Sequence, residues 1–150
     1  MNKETCTFDE SPITILLVED DPAHVEIMRR NLTSFPVAHR LIHVEDGQMA
    51  LDYLLPATAD PEANPRPDLI LLDLRLPKVD GLEVLRQIQA NEGLKRIPTV
   101  VLTTSAADSD LAAARRLGAT SYQVKSVDFL GFRELLATWP SRHPRPFPHE

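Results

Sequence analysis

Large aliphatic residues gather in short unbroken runs along this chain, and the stretches between the runs carry a helical rhythm. Ile13 to Val18 (ITILLV), Leu69 to Leu72 (LILL) and Thr99 to Leu102 (TVVL) are such runs. Continuous apolar segments this short suit strands buried on both faces, as in a parallel sheet covered by helices. Ala38 to Val44 reads differently. His39, Leu41 and His43 alternate with Arg40, Ile42 and Val44, which predicts a partly buried strand at or near a sheet edge. Ser121 to Val124 is a fifth, short strand. Between the strands, Val25, Met28 and Leu32 mark one face of a helix that opens at Pro22 behind a capping acid and stops at Phe35-Pro36. Asp46-Gly47 turns into a second helix, about Gln48 to Leu55, with Met49, Leu51, Leu54 and Leu55 as its apolar residues. Gly81 to about Asn91 is a third, carrying Leu82, Val84, Leu85 and Ile88. Asp108 to Leu117 is a fourth, rich in alanine and poor in large anchors, with Gly118 as its C-cap. Val127 to Trp139 is a fifth, with Phe129, Phe132, Leu136 and Trp139 along one face and Pro140 ending it.

Five strands alternating with five helices predict an α/β fold, a parallel sheet with helices on both faces. Residues 1–12 read as a flexible arm, 13–139 as the domain, and 140–150 as a tail with no effector domain. The stretch Pro56 to Pro67 (PATADPEANPRP) holds four prolines and no periodicity, so it is a loop. A chain of 150 residues suits one domain with a sizeable core. Its net charge of -6 argues against a general nucleic-acid or membrane-surface binder. The one cysteine, Cys6, excludes an internal disulfide and fits a reducing compartment. No stretch is apolar enough to span a membrane, and the first residues lack a signal-peptide pattern, so a cytoplasmic location is expected.

The candidate chemistry lies where strands end. Glu19 and Asp20 follow the first strand, Asp73 the third, Thr103 ends the fourth and Lys125 follows the fifth. In a parallel sheet all of these fall on one edge, where open α/β sheets bind their ligands. Two carboxylates about 4 Å apart repel by about 4 kcal/mol at an effective dielectric of about 20. A divalent cation relieves that repulsion. Oxygen ligands without a His or Cys cluster point to a hard ion, Mg²⁺ or Mn²⁺. Beside such an ion a carboxylate can act as nucleophile towards a phosphoryl group and form an acyl phosphate. Asp73, at the end of the most apolar strand, is the best nucleophile candidate. Lys125 and the Thr103 hydroxyl are placed to neutralise the phosphoryl oxygens.

The acidic pair Glu19-Asp20, Asp73 with Pro77 and Gly81 after it, Thr103, Tyr122 and Lys125 together resemble the receiver domain of two-component response regulators, from about Ile13 to Trp139. The resemblance implies a flavodoxin-like, doubly wound five-stranded parallel sheet with five helices, in strand order 2-1-3-4-5. It implies Asp73 as the acceptor of a phosphoryl group from a sensor histidine kinase. It implies a metal shell of Asp20, Asp73, the backbone carbonyl of Arg75 and a water held by Glu19. Lys125 would contact the phosphoryl group, Thr103 would move towards it, and Tyr122 would turn inward with Thr103. The face of helix 4, strand 5 and helix 5 would then change. Such a phosphoacceptor catalyses its own phosphotransfer and slow autodephosphorylation and is not a turnover enzyme. The opening ILLVEDDP, the proline-rich insert before PRPDLILLDL, and the runs LPKVDGLEVL and IPTVVLTTS are similar to the single-domain regulators paired with cyanobacterial and bacterial phytochromes. That implies a bacteriophytochrome as partner kinase and a homodimer through the helix 4/helix 5 face.

Two positions depart from the family pattern. Ser126 stands where proline usually follows the lysine, and Arg75 is large and basic for a site flank. Plainer readings exist for several residues. Asp21 suits a helix cap, Tyr122 a core aromatic, and His39 and His43 a surface or structural role. Among other function classes, an aspartate-nucleophile phosphatase commonly carries a second acid two residues after the nucleophile, where this chain has Arg75. A dinucleotide module needs a Gly-x-Gly-x-x-Gly turn after the first strand, and none is present. A DNA-reading helix is not expected after the domain. The alternative to an output regulator is a phosphorelay intermediate or phosphate sink using the same site.

Overall fold

The computed structural model describes residues 12–33, 38–55, 65–74, 76, 78–103, 108–119 and 121–124. The expected fifth helix at 127–139, the arm, the tail, Arg75, Lys125, Ser126 and residues 56–64 of the proline-rich loop lie outside these. Five strands are present: β1 (Ile13–Val18), β2 (His39–Val44), β3 (Leu69–Asp73), β4 (Thr99–Thr103) and β5 (Ser121–Val124). Every pairing is parallel and the order is 2-1-3-4-5, as expected of a flavodoxin-like sheet. Four helices alternate with them: α1 (Pro22–Leu32), α2 (Gly47–Leu54), α3 (Gly81–Gln89) and α4 (Asp108–Arg116).

The continuous apolar runs are explained by two cores, one on each face of the sheet. Successive side chains of a strand point to opposite faces. Ile13, Ile15 and Leu17 of β1, Leu69 and Leu71 of β3, and Val100 and Leu102 of β4 pack with Val25, Met28 and Leu32 of α1. Leu16, Val18, Ile70, Leu72 and Val101 point the other way, against Leu51 of α2, Val84, Leu85 and Ile88 of α3, and Ala114 of α4. β2 is one of the two edge strands, and Arg40 on it is exposed, a charge that blunts an open edge.

Helix α2 departs from the sequence reading. Gly47, Ala50 and Leu51 are its buried residues, while Met49 is 42% exposed and Leu55, just past its end, 37%. Gly47 opens the helix because the first turn lies tight against the segment between β3 and α3. A Cβ on Gly47 would overlap the Val79 carbonyl oxygen. Gly118 does close α4, in the left-handed conformation (φ 92°) that glycine adopts freely.

Candidate functional site

The sheet register brings the acids together. β1 and β3 are neighbours, with Val18 opposite Leu72, so Glu19 and Asp73 are the next residues on adjacent strands. Both are buried, Glu19 at 1% exposure and Asp73 at 5%, while Asp20 is exposed. One carboxylate oxygen from each of Glu19, Asp20 and Asp73 lies within 4.8 Å of the other two. Three like charges at that range, two of them away from water, need a counter-charge. The donors are all carboxylate oxygens, the set that hard divalent cations take. These residues therefore fit Mg²⁺ or Mn²⁺.

The acids are held in place by their neighbours. The Glu19 amide donates to the Val44 carbonyl at 3.1 Å, extending the β1–β2 ladder one step. Its own carbonyl accepts a hydrogen bond from His43 Nε2 at 2.8 Å, which places the proton on that nitrogen. Its carboxylate accepts from the Asp21 amide at 3.2 Å and lies 3.6 Å from His24 Nδ1. Asp21 caps α1 by accepting from the Ala23 amide at 2.9 Å, with Pro22 in the first turn. It is a cap, as its position beside Pro22 predicts. His43 has a structural role, anchoring the backbone of a site residue. His24 was not singled out from the sequence. The signal available was its place three residues after Asp21, on the face of α1 that looks towards Glu19.

The other expected residues divide in two. The backbone of Thr103 ends β4 and pairs with Val124, and Tyr122 pairs with Val101. Thr103 is therefore on the strand next to β3, whose Asp73 pairs with Leu102, and Tyr122 is one strand further out. Lys125 and Arg75 lie outside the described residues.

The segment that leaves Asp73 is fastened at both ends. The Gly81 amide donates to the Leu74 carbonyl at 3.0 Å, and a Cβ on Gly81 would overlap the Asp73 carbonyl oxygen. Lys78 has φ 69°, the left-handed region that L-residues rarely occupy. Its ammonium lies 3.7 Å from Asp46 Oδ2, and Asp46 caps α2 through the Met49 amide at 2.8 Å.

Comparison with known proteins agrees with this geometry. The response regulator receiver domain family matches residues 15–137. The probable methanogenesis regulatory protein FilR2 of Methanothrix harundinacea is 46% identical over 120 residues, covering 80% of this chain and 76% of that protein. Response regulator Rcp1 of Synechocystis is 47% identical over 120 residues, covering 79% of this chain and 81% of Rcp1. The crystal structure of Mn²⁺-bound Rcp1 superposes with a TM-score of 0.75 at 42% identity, over 87% of this chain and 93% of that one. The phosphorylated cyanobacterial phytochrome response regulator RcpA does so with a TM-score of 0.75 at 38% identity, over the same shares. The chain belongs to the response regulator receiver domain family. It is thus a component of two-component signalling, with a histidine kinase as the class of its partner, and its acidic cluster is one that could hold a divalent cation such as Mg²⁺ or Mn²⁺. Among the described residues no helix is long and apolar enough to cross a membrane.

Proposed function

We propose that this protein is a response regulator whose Asp73 accepts a phosphoryl group from a sensor histidine kinase. The observation that carries this reading is the meeting of Glu19, Asp20 and Asp73 oxygens within 4.8 Å at the carboxyl edge of the sheet. An Asp73 oxygen attacks the phosphorus of the kinase phosphohistidine. The P–N bond breaks, an acyl phosphate forms, and the leaving imidazole takes a proton from solvent. The strand behind Asp73 is fully buried, so the nucleophile is held rather than ordered at the moment of reaction. A divalent cation would be held by Asp20, Asp73 and the Arg75 carbonyl, with Glu19 holding a water, and would supply neutralisation of the carboxylates and of charge on the phosphoryl oxygens. Lys125 takes the role of the protein's own cation at the phosphoryl group, and Thr103 and Tyr122 are its switch residues.

The partner kinase in this proposal is a bacteriophytochrome. The likeness to RcpA, a phytochrome response regulator, supports that choice. The switch acts on α4, β5 and the segment that follows, and the same face forms a homodimer. Support comes from the slight anchoring of α4: of the side chains described there, from Ala112 to Arg116, only Ala114 is buried. A ligand or modification that favours one of two such arrangements shifts the population between them.

Phosphotransfer from an autophosphorylated bacteriophytochrome tests the reading. Label passes to the parent chain and not to Asp73→Asn, and its accumulation differs between red and far-red light. Equal labelling of both proteins would overturn Asp73 as acceptor. Transfer from a kinase without a photoreceptor, with none from the phytochrome, would overturn the choice of partner alone.

A further inference from the structure

A seven-residue connection, residues 74–80, joins the acceptor strand to α3, and its Val79 lies against the first turn of α2. Its ends are fixed at Asp73, Leu74 and Gly81, as described above. Its far side is fixed by something else. The Val79 carbonyl fills the space where Gly47 lacks a side chain, so any larger residue at 47 must push the connection outward. One residue earlier, Lys78 holds an unfavourable left-handed backbone (φ 69°) and is the only described non-glycine residue that does. Such a conformation costs about 1–2 kcal/mol and persists only where surrounding contacts impose it. The contacts here are the Gly47–Val79 packing and the ion pair from Lys78 Nζ to Asp46 Oδ2 at 3.7 Å. Asp46 is 7% exposed, and its other carboxylate oxygen caps α2. A buried carboxylate that already serves a helix N-terminus gains from a cation on its outer side.

We propose that Gly47, Asp46 and Lys78 are positioning residues for the phosphoacceptor site: the first turn of α2 sets the path of the connection that leaves Asp73 and so the shape of the metal shell. The inference rests on the reading of Asp73 and its acidic neighbours as a receiver site. None of the three touches the reacting atoms. They act through Val79 and the residues that lead into Gly81, which packs on the Asp73 carbonyl oxygen and bonds the Leu74 carbonyl through its amide.

The test is Mn²⁺ affinity, followed by electron paramagnetic resonance on the full chain without any phosphodonor. Thermal midpoints are recorded beside it. Gly47→Ala weakens Mn²⁺ binding about tenfold, the size seen when groups that orient metal ligands are disturbed. Lys78→Ala weakens it about threefold, within the range an exposed ion pair can carry. The sign of that second result is diagnostic. Removing a positive charge from the neighbourhood of three carboxylates would by itself tighten a cation, so weaker binding reports lost position. Lys78→Arg restores parental affinity. Asp46→Asn keeps a good N-cap, loses the ion pair, and is non-additive with Lys78→Ala in a double-mutant cycle. If the parent fails to bind Mn²⁺, the receiver reading itself falls. If the parent binds and the folded variants match it within twofold, with only their thermal midpoints lowered, these residues are structural and the inference is overturned. Should Gly47→Ala fail to fold, Lys78→Ala and Asp46→Asn decide in the same way.

Discussion

At the scale of single residues, the site depends on groups that bond to backbone rather than to each other. His43 fixes the Glu19 carbonyl, and the Asp21 amide reaches back to the Glu19 carboxylate. Away from the site the same device closes the proline-rich stretch. The Tyr53 hydroxyl donates to the Pro65 carbonyl at 2.7 Å, and Arg66 Nη2 donates to the Gly93 carbonyl at 2.7 Å. Tyr53→Phe is therefore expected to cost about 0.5–1.5 kcal/mol, the net worth of one such bond, measured by urea unfolding at neutral pH. Burial of the Tyr53 ring raises its hydroxyl above the ordinary value of 10.0, with the positive charge of Arg40 opposing the shift. The folded state thus prefers the protonated phenol. Its contribution is complete below pH 10 and is lost as pH rises through the raised value. The difference in stability between parent and Tyr53→Phe narrows accordingly in alkaline solution. Glu83 shows the opposite case. Hydrogen bonds from Arg86 and then Gln87 hold its carboxyl down at about 2, so it stays ionised across the range in which the protein would be used.

At the scale of elements, β1, β3 and β4 were legible because a strand buried on both faces leaves no room for polar residues. The acids that end β1 and β3 were legible for the same reason: a carboxylate next to such a run needs a purpose. Helix α1 was readable from its spacing and its start signal, Asp21-Pro22. The cap can be separated from the site by experiment. Asp21→Ala is expected to lower stability by about 1 kcal/mol while Mn²⁺ affinity stays within about twofold of the parent. Helix α2 was read less well, because hydrophobicity alone does not tell which face a short helix turns inward. Met49 is large and exposed, while Gly47 is buried where the Val79 carbonyl approaches too closely for any side chain, and Ala50 is buried in the core. The left-handed backbone of Lys78 had no sequence signal, as lysine ordinarily avoids it. His24 was missed because its partners, Glu19 and Asp21, become a cluster only once α1 folds back over the end of β1.

At the scale of the whole molecule, the strand order places β1 between β2 and β3, so the chain departs to either side of β1 and leaves a crevice at its carboxyl end. The three acids sit at the ends of β1 and β3, beside that crevice, and two separate cores hold those strands from opposite faces. This edge is expected to be a metal-dependent phosphoacceptor centred on Asp73. The most direct measurement is the intact mass of the chain after incubation with acetyl phosphate and Mg²⁺, beside Asp73→Asn and a sample with the metal chelated. One phosphoryl group on the parent, absent from both controls, is the predicted result. An unmodified parent, or an adduct that survives either the substitution or the chelator, would contradict it.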